Sequence, residues 1–259
     1  MSTRSVTFLL FTLLTLGGLK LSAQTAEDII NKHIEAMGGL EKLKSINSVH
    51  LQGVAVMQNG NEVTTNIYRV NGKLFRRDVD FGMGSFSTII TDKEGWMSNP
   101  RNGGAFEPLP ADQVKNQQSE LDCAGPLVDF AAKGHKVELL GKEAVEGTDC
   151  YKIKLTLNSG RDINYFIDSK NFYVIRTTFK GGGMMGGRPG GPGAGSAGGG
   201  QRPAGGADAE AKIDYSDFKK TADGFVFAHH VSMGGMGAGM TYEKIEVNKP
   251  VDQKLYKPN

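Results

Sequence analysis

The side chains of this 259-residue chain that could act on a ligand are few and scattered. Met233, Met236 and Met240 fall within the Gly-rich run 233–240. Thioethers suit Cu(I), but flexible methionines equally suit the lip of a pocket for greasy ligands, or a plain surface loop. His229 and His230 are adjacent on an expected strand, so they point to opposite faces and do not share a metal. The run Gly193-Ala194-Gly195-Ser196-Ala197-Gly198 matches both a dinucleotide fingerprint and a nucleophile elbow. Either motif needs a strand before it and a helix after it, and a Gly/Pro tract supplies neither. No His-Glu-x-x-His, spaced Cys/His cluster or acid pair occurs, so the sequence predicts no catalytic residues, no metal and no cofactor.

Charge narrows the class further. The chain carries 30 Lys plus Arg against 28 Asp plus Glu, and Arg4 and Lys20 lie in a segment expected to be removed. The remaining balance has no basic surplus or cluster of the kind that neutralises phosphates, which excludes nucleic acid as the expected partner. Arg4 is followed by the uncharged run Val6 to Leu19, about 21 Å long as a helix and too short to span a bilayer. With Leu21-Ser22-Ala23 after it, this reads as a secretory signal cleaved after Ala23, and the product from Gln24 is expected in the periplasm. Export permits a disulfide between Cys123 and Cys150, closing a loop worth roughly 3.5 kcal/mol in the chain-entropy model. Two unpaired buried thiols are the alternative.

The elements follow from periodicity. Ala26, Ile29, Ile30, Ile34 and Met37 form an apolar stripe at helical spacing, with Thr25 as N-cap and Gly38-Gly39 as the stop. His33 lies on that stripe and reads as an edge-of-core residue. From Val49 the period changes to two. Asn59-Gly60 and Asn71-Gly72 mark hairpin turns between consecutive antiparallel strands, continued by Ser85 to Asp92 and Glu94 to Ser98. A less regular stretch with Val114, Leu121, Leu127, Val128 and Phe130 predicts two short helices ending near Gly134. Strands resume at Val137 and continue through Tyr151 to Leu157, Ile163 to Asp168, Phe172 to Phe179, Lys212 to Phe218, Phe225 to Val231 and Thr241 to Val247. No strand alternates with a long helix, which excludes a parallel doubly wound sheet. The expected class is α+β, mostly β: a curved antiparallel sheet of about eleven strands, capped by helices. The domain organisation is a leader at 1–23 and one domain at 24–259. Residues 181–210, with 14 Gly and three Pro in 30 positions, form a disordered insertion at a loop tip.

One set of motifs is familiar. Arg69-Val70-Asn71-Gly72-Lys73-Leu74-Phe75, then Ser87-Thr88-Ile89-Ile90-Thr91-Asp92, then Gly95-Trp96 and Asn99-Pro100, resembles the periplasmic LolA-like outer-membrane lipoprotein-sorting family. Asp162 to Asp168, and Asp214-Tyr215-Ser216-Asp217-Phe218 followed by Asp223-Gly224-Phe225, resemble its Bacteroidota-type members. The resemblance implies an incompletely closed barrel whose apolar interior, covered by helices, receives acyl chains. It implies a monomeric carrier for a lipid, a lipoprotein acyl chain or another hydrophobic ligand, working with envelope lipoproteins or a membrane sorting complex. In that frame Ile30, Ile34 and Met37 of the first helix form a lid, and Ile153, Leu155, Ile163 and Tyr165 a floor. Phe75, Ile89 and Trp96 line the pocket from the first strand series. The alternative is a non-catalytic structural or interaction module of the envelope, its sheet filled by its own side chains.

Overall fold

Helix α1, Ala26–Ala36, starts where the sequence places it. Thr25 Oγ1 accepts from the Asp28 N–H at 3.1 Å, and Asp28 Oδ2 accepts from the Thr25 N–H at 2.9 Å, a reciprocal capping box. The structure is a computed structural model, and it describes residues 24–57, 60–98, 103–180, 210–233 and 239–258. The leader, Asn59, Asn99-Pro100, the Gly/Pro tract and Met236 lie outside the described residues. A second short helix, α2, Leu40–Lys44, follows Gly38-Gly39 directly.

Thirteen strands form one antiparallel sheet among the described residues. The first six are β1 Ser48–Val56, β2 Glu62–Val70, β3 Leu74–Asp80, β4 Ser85–Thr91, β5 Gly95–Ser98 and β6 Phe106–Pro108. The other seven are β7 Lys136–Val145, β8 Thr148–Thr156, β9 Asp162–Asp168, β10 Val174–Lys180, β11 Glu210–Lys220, β12 Val226–Met233 and β13 Met240–Val247. The order is β6-β5-β4-β3-β2-β1-β13-β12-β11-β10-β9-β8-β7, so the sheet is an unclosed, curled ribbon with β6 and β7 at its edges. The expected count was about eleven. The difference includes β6, three residues with Pro108 in them, too short and too irregular to show a period.

This order explains the helical stretch. The chain runs out to one edge at β6 and resumes at the other edge with β7, so the connection must cross the sheet. That crossover comprises helix α3, Ala111–Asn116, a 3₁₀ turn, Gln118–Leu121, and turns through Gly134, rather than two regular helices. Its apolar residues Val114, Leu121, Leu127 and Val128 are all buried beneath it. The Asn71-Gly72 turn holds it down: the Gly72 N–H donates to the Leu121 carbonyl at 2.9 Å, and Asn71 Oδ1 accepts from the Cys123 N–H at 3.2 Å. Gly72 has φ +67, the left-handed backbone such a turn requires.

Register assigns faces, because residues paired across strands point the same way. Val49, Arg69, Phe75 and Ile90 are successive partners and face the helices, as do Ile167, Tyr165 and Ile153 on the other half. This is the concave face. His50, Tyr68, Arg76, Ile89 and Trp96 are the partners on the opposite, convex face. There a C-terminal 3₁₀ turn, Gln253–Tyr256, covers β3 and β4, and Arg76 Nη1 donates to the Leu255 carbonyl at 3.3 Å.

Candidate ligand-binding interior of the curved sheet

Helix α1 buries Ile29, Ile30 and Ile34 against Ile153, Leu155 and Ile167 of β8 and β9. Ile30, Ile153 and Leu155 have no exposed surface at all. Met37, Ile163 and Tyr165 are half-buried at the margin of the same cluster. Seven of the expected ligand contacts are therefore brought together, but as a packed core in which α1 stands directly on its floor. His33 Nδ1 lies 2.8 Å from the Phe172 carbonyl, and Lys32 Nζ sits 5.2 Å from the Phe172 ring centre. Burial pulls the His33 imidazole below its ordinary pKa, only partly opposed by that hydrogen bond, so the neutral ring is favoured.

Beyond the α1 footprint the concave face changes character. Arg69 on β2 and Arg77 on β3 project into it, with Tyr165, Tyr215 and Tyr242 from β9, β11 and β13, and Glu120 descends from the crossover. Arg69 Nη2 donates to Glu120 Oε2 at 2.8 Å and its Nε to the Glu120 carbonyl at 3.2 Å, while its guanidinium lies 5.1 Å from the Phe75 ring centre. Burial works against the charge on Arg69, but Glu120 outweighs it and holds the group above its ordinary pKa. At Arg77 burial prevails over Glu120 and the pKa is depressed. Burial also keeps the three phenols protonated, with Tyr215 pushed up to about 12 and Tyr165 higher still. Both arginines act on the Tyr242 hydroxyl, and Tyr242 and Glu120 both act on Tyr215, so strands from the two halves of the ribbon face one another across this centre. Gly53 makes the room: a Cβ there would stand 2.8 Å from the Tyr242 ring and 2.9 Å from the Thr241 carbonyl. A groove of about 570 Å³ opens between the crossover and the turn after β8, past Leu121, Val128 and Leu157.

A scan against protein-family models finds no match for the chain. A search of curated proteins finds none either. Its structure is similar to a LolA superfamily protein from Nitrosomonas europaea, with 13% identity and a TM-score of 0.52, covering 91% of this chain and 99% of that one. A DUF1329 family protein from Desulfovibrio piger is similar at 11% identity and a TM-score of 0.52, covering 91% and 98%. The chain has the LolA-like fold.

Set against the LolA-like frame, several expected positions move. Phe75 is on the concave face, packed with Ile90, Val114 and Leu121. Ile89 and Trp96 are not: they are partners on the convex face, where the C-terminal turn lies over β4. With Ile89 and Ile90 adjacent and both fully buried, alternation alone assigns neither to a face. The Cys123–Cys150 pairing is not made, and both are free thiols. Cys150 packs with Val145 and Phe166 on the convex side, whereas Cys123 lies under the crossover against the concave core, so the sheet separates them. Among the described residues no three His, Cys, Asp or Glu side chains converge as a metal site would need, and no helix is long and apolar enough to cross a membrane. The polar centre was missed. Its readable signal was Arg69 and Arg77 standing in phase with Ile67, Phe75 and Val79, an arginine where the period calls for a buried residue.

Proposed function

We propose that the protein is an exported carrier or binding protein for a lipid, a lipoprotein acyl chain or another hydrophobic ligand, housed between α1 and the concave face. The observation that carries this reading is the way α1 is attached. It belongs to no strand ladder and is seated by side-chain packing and the His33–Phe172 contact. Lifting it uncovers the fully buried floor of Ile153, Leu155 and Ile167, continuous with half-buried Ile67, Tyr165, Phe227 and Tyr242. A dry aliphatic surface with a removable cover suits an acyl chain, and in an unclosed sheet nothing in the backbone pairing opposes widening. The LolA-like fold and the motifs around Arg69 to Asp92 support the same reading, including an association with envelope lipoproteins, work as a monomer and a role without catalysis.

Native mass spectrometry of protein isolated from an envelope extract tests it. The expected result is a bound mass that fragments to acyl chains and is lost on delipidation. A delipidated, folded protein that takes up neither a fluorescent fatty acid nor diacylglyceryl lipopeptide would overturn the reading in favour of a core-filled structural module.

A further inference from the structure

We propose that Gln24, as the first residue of the exported chain, closes to pyroglutamate, and that the start of α1 is built for the ring rather than for the open side chain. This rests on export with cleavage after Ala23, which the basic, apolar and small-residue order of the leader predicts. An N-terminal glutamine carries both partners of the reaction on one residue. Its α-amine attacks the side-chain amide carbon Cδ, and the new Nα–Cδ bond closes a lactam ring. The Cδ–Nε2 bond breaks, and Nε2 leaves as ammonia with a proton from the α-amine. No oxidant, reductant or second substrate takes part.

Gln24 Nε2 is buried and has no hydrogen-bond partner. A primary amide nitrogen withdrawn from water with its N–H groups unanswered is a cost to the fold, and it is this nitrogen that cyclisation expels. The helix start does not use it. The capping box is made wholly by Thr25 and Asp28, with Asp28 Oδ2 accepting from the Thr25 N–H at 2.9 Å and from the Thr25 hydroxyl at 2.8 Å. Loss of the terminal charge suits the position as well. The first turn carries Glu27 and Asp28, the sign of charge the helix dipole favours there, and an ammonium one residue ahead of the Thr25 cap opposes that dipole. Ala26, two residues on, is packed against the core cluster, surroundings that favour a neutral chain end. A lactam also leaves no free amine for an aminopeptidase. Trimming by two residues would take Thr25, and with it the cap of the helix that covers the floor.

Intact mass measurement and N-terminal sequencing test this on the full chain, expressed with its leader and recovered from the envelope. The expected mass is that of residues 24–259 less one ammonia. Stepwise sequencing should be blocked, and treatment of the denatured protein with pyroglutamyl aminopeptidase should unblock it with Thr25 as the first residue read. Gln24→Asn, whose shorter side chain does not close this ring, should show a free terminus and no loss of ammonia. A sample released from a tag to begin at Gln24, measured before it cyclises, should unfold at a thermal midpoint no higher than that of the cyclised form. Gln24 read in the first cycle at full mass would overturn the modification while leaving export and cleavage standing. A first residue other than position 24 removes the cleavage and the modification together. A terminus that stays blocked in Gln24→Asn would show a different blocking group and overturn the proposal. A higher midpoint for the open form would overturn the fit of the ring to α1. None of these outcomes bears on ligand binding, so the carrier reading is tested separately.

Discussion

Arg69 and Glu120 meet at 2.8 Å and so tie β2 to the crossover that spans the sheet from edge to edge. With side chains 26% and 13% exposed, the pair is largely withdrawn from water, and a lone partner left behind is costly. Glu120→Ala should destabilise the fold by about 2–4 kcal/mol in urea unfolding, because it removes the carboxylate that Arg69 is bonded to. Arg69→Met combined with Glu120→Met should recover part of that loss in a double-mutant cycle. Strict additivity of the two single changes would show that the contact holds no coupling.

The attachment of α1 should weaken in acid. The folded-state pKa of His33 is lowered by burial, so between its depressed value and the ordinary imidazole value of 6.5 the unfolded chain binds a proton that the folded one does not. Stability contributed there is complete above pH 6.5 and falls as pH drops toward the folded value. His135 is shifted the same way, first by burial and then by Lys133, and adds to the slope. Hydrogen exchange of the α1 amides should accelerate from pH 7 to pH 5 beyond the intrinsic rate, and His33→Gln should reduce that dependence to the share His135 contributes. A pH-independent opening rate in the wild type would contradict the assignment.

At Gly53 the sheet leaves no space for a side chain. Gly53→Ala should cost about 1–3 kcal/mol, since both the Tyr242 ring and the Thr241 backbone stand inside contact distance of the new methyl. Tyrosine fluorescence should report the displaced ring, and a thermal midpoint equal to the wild type's would show that β13 yields freely.

Neither thiol should behave as a reactive cysteine. Burial raises both to about 11, so each is protonated at neutral pH. Ellman's reagent should find both cysteines only after denaturation, and dithiothreitol should leave the thermal midpoint unchanged. A drop of several degrees on reduction would reveal a bond between them.

Excising residues 183–208 should be nearly neutral. Lys180 and Glu210, which flank the tract, are partners in the β10–β11 ladder, so a short turn can join them. The thermal midpoint should stay within about 2 °C, as expected for a change below one kcal/mol. Loss of cooperative unfolding would show that the tract contributes to the core.

Local rules made much of this legible in advance. Thr25 three residues before Asp28, the stripe through Ile29, Ile30 and Ile34, and the turn at Asn71-Gly72 involve neighbours in the chain, and the structure forms each one. The alternation of Tyr151, Ile153 and Leu155 likewise named one concave face, because there the other side is more exposed and the contrast survives in composition. Where both sides of a strand are covered, the contrast disappears: β3 and β4 are buried on both faces, so Ile89 and Ile90 are indistinguishable until register pairs one with Arg76 and the other with Phe75. The same holds for Arg69, Arg77, Glu120 and Tyr242, which are separated by up to 173 positions and meet only because β13 returns to pair with β1. Sequence periodicity specifies which way a side chain points relative to its own strand; which side chains it then faces is decided by strand order, and strand order is a property of the folded sheet alone.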